Sequence, residues 1–238
     1  MLPIFRTLVK RPLNLIGLDL VRYRKHYSLG GYAYLLSLGI ETVIDVGANS
    51  GEFCHMITKV LPSCYIVCFE PLREEFVQLE SSMRGRPRFR AFNYAIGDRN
   101  GSVEMYRNEY SQSSSLLRMA ALHKQAFPYT ERETTETVEL RRLDDVLAGV
   151  NLTTEILLKI DVQGYEDKVI AGAEVVISRS KAMIVEVSFQ RLYEGQALFD
   201  DVYEILKRKG FVYLGNLYQL LNPIDGGTLQ ADALFLKH

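Results

Sequence analysis

Short, continuous apolar stretches recur along the chain, and each carries an acidic residue at or near its end. Val43, Ile44 and Val46 flank Asp45; residues 64–69 run into Glu70; residues 89–96 run into Asp98; residues 155–160 run into Asp161; and residues 182–187 carry Glu186. These lengths predict strands, and an unbroken apolar run predicts a strand buried on both faces, as in a parallel sheet covered by helices. Between them the period changes. Phe53, Met56, Ile57 and Val60 recur at helical spacing until Pro62, residues 73–83 form a second helical stretch ended by Gly85 and Pro87, and residues 165–173 and 199–209 are further helices. Alternating strands and helices predict right-handed crossovers and a doubly wound α/β sheet.

The remaining pattern is additive. Residues 102–106 and 135–140 form an extra strand pair, and a short helix opens at Asp144, Asp145 and Val146. Residues 211–214 and 231–237 make a closing antiparallel hairpin around Asn222, Pro223, Gly226 and Gly227. Residues 108–129, with Ser111 and Ser113 to Ser115, show no strand period, and a long irregular insertion in a compact domain is usually functional or mobile. Residues 1–41 mix leucines with Arg6, Lys10, Arg11, Arg22, Arg24 and Lys25; they form an N-terminal helical segment that caps the domain at 42–238 rather than lying on an acidic membrane surface.

Composition narrows the class. The 238 residues carry a net charge of −1 and are 47% hydrophobic and 24% charged, which fits one globular domain and gives no nucleic-acid footprint, so the expected partner is small. Cys54, Cys64 and Cys68 lack a metal-ligand spacing. Cys64 and Cys68 lie roughly 13 Å apart on one strand and cannot bridge. They are expected to be buried thiols in a reducing compartment. The apolar start is interrupted by Pro3, Pro12 and Asp19 and no transmembrane span is predicted, so the expected location is cytoplasmic.

The chemistry centres on the turn after the first strand, Gly47-Ala48-Asn49-Ser50-Gly51. Glycines there let the backbone approach a ligand, but a dinucleotide fingerprint needs a glycine where Asn49 stands, which disfavours an NAD-type dehydrogenase. A nucleoside with an amino-acid tail fits better: Asp45 faces its amine, directly or through water, and Glu70 holds two ribose hydroxyls. S-adenosyl-L-methionine has that shape. Gly47→Val is then expected to abolish cofactor binding while the fold survives with a modest stability loss. Ligands of open α/β sheets bind beyond the carboxyl ends of the strands, where Asp45, Glu70, Asp98, Asp161 and Glu186 are all expected.

Several ordered blocks resemble the FkbM-type methyltransferases: Val-Ile-Asp-Val-Gly-Ala-Asn-Ser-Gly (43–51), Phe-Glu-Pro (69–71), Asn-Tyr-Ala-Ile-Gly-Asp (93–98), Ser113 to Ser115, Arg-Leu-Asp-Asp (142–145), Leu-Lys-Ile-Asp-Val-Gln-Gly-Tyr-Glu (158–166) and Ala-Asp-Ala-Leu-Phe (231–235). The resemblance implies a Rossmann-like, mostly parallel seven-stranded sheet with its last strand antiparallel, and S-adenosylmethionine-dependent O-methylation. Asp45, Gly47, Ala48, Asn49 and Gly51 would hold the methionine part, Glu70 with Pro71 the ribose, Ala95 to Asp98 the adenine, and Asp161 would face the methyl and the acceptor. One departure is Gln163, where the family usually has Glu. It keeps open a cofactor-binding module without turnover. Asp161 is the first candidate base, Glu186 the second and His123 the third, the alternative for His123 being plain surface. A magnesium ion shared by Asp161 and Glu186 is compatible with their oxygens, though spacing shows no ligand triad. The acceptor that the resemblance implies is a small hydroxylated molecule, a sugar of a glycan or of a glycosylated metabolite.

Overall fold

The computed structural model describes residues 27–153 and 155–238, so most of the N-terminal segment, residues 1–26, lies outside the described residues. From Tyr27 to Leu38 the chain makes 3₁₀ turns, with Leu35 buried and Leu38 packed against the cluster that contains Val43, Ile66 and Leu157. In chain order the strands are β1 (Thr42–Val46), β2 (Tyr65–Phe69), β3 (Phe89–Phe92), β4 (Ala95–Ile96), β5 (Gly101–Asn108), β6 (Glu133–Arg141), β7 (Ile156–Ile160), β8 (Ser180–Ser188), β9 (Phe211–Leu221) and β10 (Thr228–Lys237). The helices are α1 (Glu52–Val60), α2 (Arg73–Ser82), α3 (Ala121–Ala126), α4 (Leu143–Leu147), α5 (Glu166–Ala171), α6 (Glu174–Arg179) and α7 (Phe199–Arg208).

The main sheet has seven strands in the order β3-β2-β1-β7-β8-β10-β9. Only β10 runs antiparallel to its neighbours, as the resemblance implies. Both faces are covered. Ile44, Val46, Val67, Phe69, Leu158 and Ile160 pack into one core layer, while Val43, Ile66, Cys68 and Leu157, their neighbours along the same strands, pack into the other. This is the two-sided burial that the unbroken apolar runs require. The strand order reverses between β1 and β7, so their carboxyl ends open a crevice.

The extra strand pair exists as β5 and β6, in register from Gly101↔Leu140 to Asn108↔Glu133. The third strand differs from expectation: residues 89–96 are two strands in two sheets, β3 beside β2 and β4 beside β6. Asn93 explains the break. Its side-chain amide donates to the carbonyls of Glu70 and Pro71, both at 2.8 Å, and ties the chain to the end of β2 as it leaves the sheet. The predicted helix at 165–173 is followed by α6, which the periodicity did not show, and the closing hairpin is longer than expected at both ends of its turn. Residues 108–129 are not irregular throughout, since Ser115 bridges to Tyr106 and α3 forms at Ala121–Ala126. Among the described residues no helix is long and apolar enough to cross a membrane.

Candidate active site

A cavity of about 530 Å³ lies over the carboxyl ends of β1, β2, β7 and β8, a size usual for a small-molecule site. Its first wall is the glycine turn. Gly47 and Ala48 donate their amides to the Phe69 carbonyl, both at 3.0 Å, which stitches the turn to the end of β2. Asn49 holds φ at +46°, where Asn is tolerated better than most residues. Its amide donates to Ser111 Oγ at 3.0 Å, so a side chain fills the position of a dinucleotide fingerprint's middle glycine.

Glu70 closes this wall. It is 4% exposed, and its two oxygens accept the main-chain N–H groups of Asn49 and Leu72, each at 2.8 Å. Burial raises its pKa to about 8, against the lowering effect of those two donors. Pro71, Leu72, Tyr94, Ala95, Ile96 and Met105 continue the lining as a mostly apolar stretch.

The opposite wall is polar. Lys159, in the middle of an otherwise apolar strand, is 5% exposed and places Nζ 2.9 Å from Asp161 Oδ2 and 3.6 Å from Asp45 Oδ1. Burial works against its charge, but Asp161 and Asp45 drive its pKa well above the ordinary value, so it stays an ammonium. Gln163 Nε2 donates both to Asp161 Oδ1 at 2.9 Å and to Glu186 Oε2 at 2.7 Å. Gln230 Nε2 donates to the same Glu186 oxygen at 2.7 Å, and Tyr32 donates its hydroxyl to Asp232 Oδ2 at 3.1 Å. Burial, reinforced by Asp161, raises the pKa of Glu186 and of Asp232.

The structure brings together Gly47, Ala48, Asn49, Glu70, Pro71, Ala95, Asp161 and Glu186 around this cavity and leaves three expected residues out. Asp45 is fully buried beneath it. In the β1 register it lies beside Lys159 and Cys68, so its carboxylate turns to Lys159 and accepts from Cys54 Sγ at 3.4 Å instead of facing a ligand. Gly51 starts α1 and packs against α2; a Cβ there would come within 2.9 Å of Leu79 Cδ1. Asp98 points outward, paired with Arg99, because the chain has already entered the second sheet.

Two further expectations change. His123 is not surface: it is 4% exposed, lines the cavity, and sits edge-on between Phe127 and Tyr193. Burial lowers its pKa to about 4, so the ring is neutral at pH 7 and a weak base. Asp161 and Glu186 do meet, but through the Gln163 amide, whose Nε2 lies within hydrogen-bond distance of an oxygen of each. The three thiols are free and buried as expected, yet Cys54 and Cys68 approach to 3.1 Å, and with Asp45 they form the only metal-like cluster among the described residues. Burial holds the Cys68 thiol well above its usual pKa.

Sequence reasoning missed the roles of Lys159, Asp232 and Gln230, and Tyr193, considered with Tyr165 as a wall of a sugar-sized pocket, instead donates its hydroxyl to Gln163 Oε1. The first two had a signal: a charge inside an otherwise buried strand needs a partner or a function.

Comparison with known proteins agrees with this architecture. The model of the methyltransferase FkbM domain matches residues 45–213. The 2-O-methyltransferase NoeI of Sinorhizobium fredii is 30% identical over 179 residues, covering 72% of this chain and 73% of that protein. The 31-O-demethyl-FK506 methyltransferase FkbM of Streptomyces tacrolimicus is 26% identical over 213 residues, covering 79% and 77%. With the doubly wound sheet, the antiparallel last strand and the crevice between β1 and β7, these matches place the chain in the FkbM family of S-adenosyl-L-methionine-dependent methyltransferases.

Proposed function

We propose that the chain transfers the methyl group of S-adenosyl-L-methionine to a hydroxyl of a small acceptor, a sugar of a glycan or of a glycosylated metabolite. The observation that carries this reading is the acidic lining of the cavity wall, Asp161, Glu186 and Asp232 with Lys159 as the one ammonium among them; burial raises the pKa of Glu186 and Asp232 in the ligand-free protein, and a bound cation favours their charged forms. Such a wall favours a cation, and the cofactor brings a sulfonium and an α-ammonium. Glu70 suits the ribose. Each of its oxygens has accepted one main-chain N–H and keeps a lone pair for a hydroxyl donor. The mostly apolar stretch from Leu72 to Met105 suits an adenine ring.

When bound, the cofactor supplies a methyl group already activated by the sulfonium. The residues of this chain then have two tasks. The first is alignment of the acceptor oxygen with that methyl group, and orientation alone is worth roughly 7 to 11 kcal/mol in favourable cases. The second is removal of the hydroxyl proton, which Asp161 performs: its side chain is 27% exposed toward the cavity while Lys159 and Gln163 fix its direction. Glu186, anchored by two amide donors, is the second candidate.

The names of both relatives specify O-methylation, which supports a hydroxyl acceptor. Tyr32, Phe53, Tyr110, Tyr129 and Tyr218 beside Ser111 and Gln112 give the open end aromatic faces and polar groups together, the combination that suits a sugar ring. Free buried thiols fit a cytoplasmic location. Calorimetric titration with S-adenosyl-L-methionine, followed by mass detection of S-adenosylhomocysteine with a panel of oligosaccharides and glycosylated small molecules, tests the reading. Absence of cofactor binding would overturn it.

A further inference from the structure

Gln163 holds an unusual position. Its φ is +55°, a left-handed conformation that a non-glycine residue adopts at a cost and that clusters at functional sites. Every polar group of its side chain is engaged. Nε2 donates to Asp161 and to Glu186, and Oε1 accepts the Tyr193 hydroxyl at 2.9 Å. Its main-chain carbonyl accepts Ser115 Oγ at 2.6 Å, which ties the turn to the serine-bearing insertion. Tyr193 is fully buried and also reaches the Ser113 carbonyl at 3.1 Å. The side chain therefore cannot swing away without breaking bonds to Asp161, to Glu186 on β8 and to Tyr193.

We propose that Gln163 is a positioning residue that joins Asp161 and Glu186 by its amide in the place a divalent cation would take, so that this site works without one. Two carboxylates that close to one point repel unless a proton, a cation or a donor lies between them. In this chain a neutral N–H₂ group satisfies both, with the amide's orientation fixed by Tyr193 at its other end. The bridge needs no metal to hold the two side chains together. Replacing the amide by a carboxylate would set three acidic side chains around one point, with oxygen donors only, the chemistry that hard divalent cations prefer. The consequence for turnover rests on the proposal that Asp161 faces the acceptor; the bridge itself does not.

The test titrates purified wild type, Gln163→Glu, Gln163→Ala and the double variant Gln163→Glu with Asp161→Asn with Mn²⁺, following the ion by electron paramagnetic resonance. Thermal melts report folding, and each protein is titrated separately with S-adenosyl-L-methionine. The expected result is that Gln163→Glu binds Mn²⁺ at least about tenfold more tightly than wild type and that Asp161→Asn abolishes the gain. Gln163→Ala, which removes the amide without adding charge, is expected to bind Mn²⁺ more tightly than wild type and stands in if the Glu variant does not fold. Wild type binding Mn²⁺ as tightly as Gln163→Glu, or no variant binding it, would overturn the proposal. A wild type that fails to bind S-adenosyl-L-methionine would instead overturn the functional reading and leave the Mn²⁺ result intact.

Discussion

A Cβ atom placed on Gly47 would lie 1.8 Å from the main-chain oxygen of Asp161. The two strand ends that frame the crevice, β1 and β7, therefore touch through a glycine whose φ is +84°, and Asp161 N donates to the Val46 carbonyl at 3.0 Å just before it. Gly47→Val thus does more than block a ligand, and the packing calls for a larger stability loss than the modest one expected from the sequence. Even Gly47→Ala is expected to destabilise by at least about 2 kcal/mol, through strain at positive φ and displacement of the Asp161 backbone. A thermal melt checks this. A melting temperature equal to wild type would show that the close approach relaxes freely.

Glu70→Ala is expected to weaken S-adenosyl-L-methionine binding by roughly 1.5 to 3 kcal/mol, the range for hydrogen bonds to a charged group. It also releases the main-chain N–H groups of Asn49 and Leu72, so the glycine turn should loosen. Calorimetry on Glu70→Ala and Glu70→Gln separates the effects. Unchanged affinity in both would remove Glu70 from the cofactor site.

Cofactor affinity is expected to rise with pH between about 6 and 8. With a pKa of about 8, much of Glu70 is protonated in the free protein at neutral pH, whereas ribose hydroxyls donate best to the carboxylate. Binding should therefore release a proton, measured as a dependence of the binding enthalpy on the buffer's ionisation enthalpy. Glu70→Gln should remove that dependence, and its persistence would assign the proton elsewhere.

Stability should depend on pH in two opposite limbs. Glu70 at about 8 and Glu166 at about 7 both lie above the ordinary 4.5, so the folded protein holds more protons than the unfolded chain, and their contribution is lost as pH rises through that window. His123, lowered from 6.5 to about 4, acts oppositely and costs stability as pH falls through that range. Above 6.5 only the first limb operates, so the ligand-free melting temperature should fall from pH 6.5 to 8. Glu70→Gln and Glu166→Gln should each flatten this fall, and an unchanged slope in both would contradict the assignment.

Asp161→Asn keeps size and most hydrogen bonds but removes the charge. Turnover is expected to fall by about 10² or more while cofactor affinity changes by less than about tenfold. Lys159 retains Asp45 as a partner at 3.6 Å, so the fold should persist. Single-turnover methyl transfer decides the point: a rate within about threefold of wild type would move the base assignment to Glu186.

What the sequence determined by itself is the sheet and its edge. Continuous apolar runs demand burial on both faces, alternation with helices demands parallel crossovers, and acids at the run ends demand a shared carboxyl edge; the blocks at 43–51 and 158–166 carried the family. What only the tertiary structure decided is which of those side chains face the cavity. The strand pleat turns Asp45 under the site onto Lys159, and the amide of Asn93 pulls the chain out of the sheet so that Asp98 points away. The Asp161–Gln163–Glu186 bridge joins two carboxylates through one nitrogen, with Glu186 lying 23 positions beyond Gln163 in the chain. One-dimensional spacing records which residues lie near strand ends, but not which direction each side chain takes or which partner satisfies it. Those depend on register and packing between β1, β7 and β8, set by contacts distant in sequence.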